Sequence, residues 1–183
     1  MQTARSKIIE KLNGKAPTIV VLNAGVVRGR SLLDANEFDI RLTFDVNIIG
    51  VLWSIKTFLP DMIAANHGHI LLTSSITAYT TLANSVDYCA SKAAIASIYE
   101  GLQTELKHTY GNPRVQCSAV FPGTVNTKMF EGIDSPMKGF MLPVLEPDDV
   151  AERMFRIIKE GRRYDSCYDV RWVDFVCMLT SIV

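Results

Sequence analysis

The chain carries no excess of either charge: lysine and arginine total 19, and aspartate and glutamate total 19. That balance removes the electrostatic case for nucleic acid or an anionic membrane as partner. Its cysteines, Cys89, Cys117, Cys167 and Cys177, are widely separated, with no CxxC pair and no histidine-rich cluster. Neither a metal centre nor a dithiol is expected from that spacing. Cys117 sits in an apolar run and reads as a buried, reduced thiol in an intracellular compartment. The first fifteen residues are polar and lack the apolar stretch of a secretory signal. No apolar run reads as long enough to cross a bilayer. Residues 172–183 are apolar but short and contain Asp174, which suits a packed C-terminal segment or, alternatively, one lying on a lipid surface. No internal repeat or linker of biased composition divides the chain. What is present is a hydrophobic fraction of 48% in 183 residues, enough for one folded domain over 1–183 with a substantial core.

Periodicity supplies the elements. A first helix is expected over 3–12, stopped at Gly14. The β-branched run 18–22 predicts a strand buried on both faces, ending in Asn23-Ala24-Gly25. Small residues there suit an ordinary turn or a close approach of backbone to ligand. A long helix over 37–65 follows, with Phe44, Ile48, Val51, Ile55, Leu59 and Met62 as its apolar stripe. Asn47 interrupts that stripe, so its amide makes structural hydrogen bonds or holds a water for chemistry. Strands at 69–74 and 115–121 and helices at 88–110 and 146–160 complete the pattern, the last helix opened by Pro147-Asp148-Asp149. Alternation of strand and helix predicts an α/β fold with a parallel sheet flanked by helices. The segment 130–145, rich in Met and Phe, suits a lid over an apolar substrate or a loop packed on the body. His67 and His69 receive no role.

The chemistry-bearing candidates fall where strands end. Ser75 follows the second predicted strand, and the Pro122-Gly123-Thr124 turn follows the third. In parallel sheets that carboxyl edge is where ligands bind. Tyr88 and Lys92 lie four apart on a helix and so share one face. An ammonium beside a phenol favours the phenolate, which would make a proton donor and acceptor for near-neutral pH. Chance readily supplies one such pair, so its weight comes from the company of Asn47 and Ser75.

These motifs, in this order and spacing, resemble those of the short-chain dehydrogenase/reductase family. Asn23-Ala24-Gly25 is similar to its NAG motif, and Asn47 in Asp45-Val46-Asn47 to its catalytic asparagine. Ser75 and Tyr88-Cys89-Ala90-Ser91-Lys92 resemble its serine and YxASK motif, and residues 122–127 its PGxVxT motif. The surroundings of Tyr88 look closest to the retinol- and 17β-hydroxysteroid-dehydrogenase-like branch. The resemblance implies an incomplete Rossmann-type doubly wound parallel sheet that lacks the first βαβ portion, because the TGxxxGxG turn that receives a pyrophosphate is not in this sequence. An N-terminally truncated chain and an unprotected sheet edge at 18–22 are therefore expected.

It also implies an NAD(P)-dependent oxidoreductase interconverting an alcohol and a ketone or aldehyde, with a retinoid, steroid or lipid carbonyl as substrate. NAD and NADP are not distinguished. Tyr88 would exchange a proton with substrate while Lys92 lowers the tyrosine pKa, a change from about 10 to about 7 needing roughly 4 kcal/mol. Ser75 would hydrogen-bond the substrate oxygen, and Asn47 would fix a water. Asn23, Ala24, Gly25, Tyr88, Lys92, Pro122, Gly123, Val125 and Thr127 would border the cofactor. Family members pair through their long helices, here 37–65 and 88–110, and a cytoplasmic location with an endoplasmic reticulum or lipid-droplet surface is implied. The opposing expectation is a non-catalytic remnant that acts only through protein contacts.

Overall fold

A computed structural model describes residues 2–130, 144–161 and 164–166 of the chain. Its elements, in order, are α1 (Gln2–Lys11), β1 (Ile19–Leu22), α2 (Glu37–Phe44), a π-helical turn (Asp45–Ile49), α3 (Gly50–Ala64), β2 (Gly68–Thr73), α4 (Val86–His108), β3 (Val115–Phe121), α5 (Pro147–Glu160) and β4 (Tyr164–Ser166). The sheet is parallel throughout, ordered β1-β2-β3-β4. β4, which pairs with Ala119–Phe121, was not expected: three residues of mixed polarity carry no strand period.

Two of the helices are set by local signals at their ends. α5 opens on a capping box between Glu146 and Asp149, has proline in its first turn and stops at left-handed Gly161. Asn36 caps α2 by accepting from the Asp39 amide. One core layer lies between the sheet and helices α3 and α4: Val51, Ile55, Leu59 and Met62 meet Ile70, Leu72, Ile95, Leu102 and Phe121. A smaller one, on the opposite face, sets Leu71 and Val120 against Leu145, Val150 and Ile157 of α5 and its approach.

Three expectations need correction. The continuous run Glu37–Ala64 is long and apolar enough, by length and composition, to cross a membrane, although the sequence was read as containing no such run. Here it is a core helix, packed on the sheet through α3. The 18–22 strand is not buried on both faces: Ile19 is 49% and Val21 45% exposed, because α5 covers β2 and β3 but not the edge strand. The apolar stripe also starts later than expected. Phe44 is exposed and Ile48 half-buried, whereas Asp39, Thr43 and Asn47 are the buried positions before Val51. The π-turn at 45–49 fits an extra residue into the turn and shifts the phase of the stripe, so the spacing of four that continues backward from Leu59 selects polar residues there. The expected lid at 130–145 lies outside the described residues except for its end. There Leu145 is tied to Val125 by a parallel bridge, with hydrogen bonds from the Asn126 amide to the Leu145 carbonyl and from the Leu145 amide to the Thr124 carbonyl. Residues 172–183 also lie outside.

Candidate active site

Strand register brings the candidates together. Leu22 pairs with Leu72 and Thr73 with Val120, so the three strands end at one level. Asn23, Ser75 and Pro122 therefore emerge side by side. The amides of Ser74 and Ile76 donate to the carbonyls of Val120 and Pro122, which fixes the chain on either side of Ser75. Between these strand ends and α4 lies a cavity of about 280 Å³. It is lined by Asn23, Gly25, Ser75, Tyr88, Lys92, Pro122, Gly123, Val125 and Thr127. Of the expected site residues, Ala24 and Asn47 are not in its wall. A larger apolar groove, about 700 Å³, runs between α3 and α4, but Lys56 and Glu105 are its only charged walls and no strand end reaches it.

Within the cavity Tyr88 and Lys92 are each 5% exposed. Lys92 Nζ donates to the Thr73 carbonyl at 2.9 Å and stands 5.6 Å from the centre of the Tyr88 ring. The Tyr88 hydroxyl is hydrogen-bonded to Ser75, whose Oγ lies 3.2 Å from the Pro122 carbonyl and accepts from the Thr77 amide. The charges do not behave as expected. Burial pushes the Tyr88 phenol up to about 12, against a smaller lowering by the Ser75 hydrogen bond. Burial also brings Lys92 down to about 8. Removing each charge from water outweighs a partner held beyond the ring centre, so the phenol stays protonated at neutral pH.

Asn47 is 1% exposed and saturated by structure: its Nδ2 donates to the Val26 carbonyl (3.0 Å) and Ser91 Oγ (2.9 Å), and its Oδ1 accepts from the Val26 amide (2.8 Å). Of the two alternatives for this amide, its side chain takes the structural one. Ser91 passes the connection on by donating to the Tyr88 carbonyl at 2.7 Å. Ser74 donates to the Lys92 carbonyl at 2.8 Å. The turn of α4 that carries both candidates is thus anchored from two elements.

The wall also includes Met129, Pro147, Ala151 and Met154, which the sequence did not single out. Apolar residues at helical spacing carry no signal that separates a cavity wall from a core. One feature leaves room for a polar group beside Lys92. A Cβ on Gly25 would sit 3.5 Å from both Lys92 Nζ and Asn47 Oδ1, so a side chain there would fill the space beside the ammonium.

Comparison with known proteins agrees with this architecture. The family model described as short chain dehydrogenase matches residues 1–138. Mouse epidermal retinol dehydrogenase 2 is 34% identical over 168 residues, covering 91% of this chain and 52% of that protein. Mouse 17-beta-hydroxysteroid dehydrogenase 13 is 36% identical, covering 79% of this chain and 46% of its own length. The chain therefore spans about half the length of these curated relatives. A short chain dehydrogenase/reductase from Burkholderia phymatum, solved in complex with NAD, superposes with a TM-score of 0.80 at 24% identity over 94% of this chain and 68% of that one. An alcohol dehydrogenase from the archaeon Thermococcus sibiricus, complexed with 5-hydroxy-NADP, gives 0.69 at 26% identity, covering 88% and 65%. With the parallel sheet, the strand-end cavity and a family match over three quarters of its residues, the chain belongs to the short chain dehydrogenase family.

Proposed function

We propose that the chain carries the proton-handling part of an NAD- or NADP-dependent oxidoreductase that interconverts an alcohol with a ketone or aldehyde. The observation that carries this reading is the convergence of Ser75, Tyr88 and Lys92 on one strand-end cavity. Tyr88, protonated at neutral pH, donates its phenolic proton to the oxygen of a carbonyl substrate, and Ser75 Oγ hydrogen-bonds that same oxygen. Lys92 holds ribose hydroxyls beside Thr73, while Gly25 leaves room for them. Asn23, Pro122, Gly123, Val125 and Thr127 border the remainder of the group, and Ala24 lies between Asn23 and Gly25 in the chain. The nicotinamide, when bound, supplies the hydride donor or acceptor. Asn47 acts from outside the wall by fixing Val26 and Ser91.

A lipophilic substrate, of retinoid, steroid or lipid-carbonyl type, is supported by the names of the relatives and by the apolar wall of Met129, Val150, Ala151 and Met154. Such substrates place the chain at or near a lipid surface inside the cell. The 700 Å³ groove between α3 and α4 shares no lining residue with the cavity, and we assign it to a second copy of this chain, since the same patch on two copies forms a closed pair.

A second reading, a non-catalytic chain that works through protein contacts, is favoured by one observation: the glycine turn that cradles a pyrophosphate is not in the sequence. It leads to the experiment. Titration with NADH and NADPH, followed by nicotinamide fluorescence, is expected to give weak binding, with Kd on the order of 1 mM because only one end of the dinucleotide is held. Micromolar binding would overturn the one-ended site.

A further inference from the structure

Tyr88 is held through its backbone as well as its side chain, and from one neighbouring helix. It lies in the first turn of α4, where amide hydrogens have no intrahelical acceptor. The N-cap, Ser85, makes no side-chain capping bond. The Tyr88 amide donates instead to Asp87 Oδ1, at 2.8 Å. The other carboxylate oxygen, Asp87 Oδ2, lies 3.0 Å from Thr43 Oγ1. Thr43 is fully buried on α2, one turn before Asn47. Its hydroxyl also lies 2.9 Å from the Asp39 carbonyl. A hydroxyl has one proton for these two acceptors, and the ionised carboxylate is the stronger of them. Two bare acceptors 3.0 Å apart would repel, so a shared proton toward Asp87 is required.

Thr43 and Asn47 are four apart, as are Asp87 and Ser91. The pairs therefore face each other as two rungs across the α2–α4 contact. One rung, Thr43–Asp87, ends on the Tyr88 amide; the other, Asn47–Ser91, ends on the Tyr88 carbonyl. We infer that Thr43 and Asp87 are positioning residues that set Tyr88 against Ser75 by clamping its peptide groups from α2. Asp39 extends the arrangement outward: it is buried, its amide donates to the Asn36 cap, and its carboxylate is ion-paired with Arg28 (2.7 Å) and Arg30 (3.2 Å). The helix carrying the clamp is in this way fixed to the loop that follows Asn23. The catalytic part of this inference rests on Tyr88 being the proton donor; the clamp itself does not.

The test compares wild type with Thr43→Val, Thr43→Ser and Asp87→Ala in the full chain. Amide hydrogen exchange at Tyr88 is measured by NMR beside that of Leu102 and Leu106 further along α4. Thr43→Val and Asp87→Ala are expected to accelerate Tyr88 exchange by about tenfold, with Leu102 and Leu106 unchanged, while Thr43→Ser stays at the wild-type rate. Unchanged Tyr88 exchange, or equal acceleration along the whole helix, overturns the clamp. If Thr43→Val does not fold, Asp87→Ala, at a half-buried position, decides alone. Where wild type reduces a carbonyl with NADH or NADPH, Thr43→Val should lower kcat by about tenfold with KM within about twofold, and Thr43→Ser should restore it. An unaltered kcat refutes the positioning role. Wild type that turns over nothing sinks the functional reading instead and leaves the exchange result to decide the clamp.

Discussion

Burial dominates the two titratable side chains at the centre of the site. Lys92 is brought down from 10.5 to about 8, so the folded chain releases that proton at lower pH than the unfolded chain does. Between about pH 8 and 10.5 folding then expels a proton, and stability rises with pH across that window. The contribution is on the order of 3 kcal/mol. Tyr88 has the opposite sign: pushed up to about 12, it is protonated in the folded chain where an unfolded tyrosine has begun to ionise, so its contribution falls above pH 10. Urea unfolding at pH 7.5 and 9.5 should show wild type gaining stability relative to Lys92→Met over that interval. A constant difference between the two would mean that Lys92 is ordinarily ionised. At this scale the meeting of Ser75, Tyr88 and Lys92 at one cavity was legible, because helical spacing and a strand end place them together. The raised phenol was not, since the cost of desolvation depends on a depth that no spacing encodes. Nor were Thr43 and Asp87: short polar residues on a helix read as solvated until the opposing helix is in place.

Among the elements, long helices and buried strands were legible from period alone, and the observed bounds of α4 and α5 differ from expectation by two residues or fewer. The π-turn was not, because its effect is to shift phase rather than to alter composition. Yet Asp39, Thr43, Asn47, Val51, Ile55 and Leu59 are spaced by four throughout, and that ladder, followed backward from its apolar end, marks the buried positions. The outer faces of α3 and α4 are the other element-scale feature. Leu52, Trp53 and Tyr110 are exposed beside the groove lined by Leu59, Ile63 and Leu102. An apolar patch rimmed by polar residues marks an interaction surface. Sedimentation velocity at tens of micromolar is expected to find a dimer for wild type and a monomer for Leu52→Glu; a monomeric wild type would refute pairing through this face.

At the scale of the molecule, β1 is an outer strand of the sheet among the described residues. Ile19 and Val21 of β1 are half-exposed on the face that α5 covers over β2 and β3 but not over β1, at the edge expected from the sequence to be unprotected. The cavity sits at the other end of the design, where β1, β2 and β3 finish together and α4 supplies Tyr88 and Lys92. Ser75, Tyr88 and Lys92 all line it. The central claim is that Tyr88 in this cavity delivers a proton in step with hydride transfer. The most direct measurement mixes wild type and Tyr88→Phe with retinal and a saturating millimolar concentration of NADH deuterated at the transferable position, and follows deuterium in the alcohol by mass spectrometry. Wild type should form deuterated alcohol at least about 100-fold faster than Tyr88→Phe, with the cofactor Kd unchanged. Equal formation by both proteins, or by neither, would contradict it.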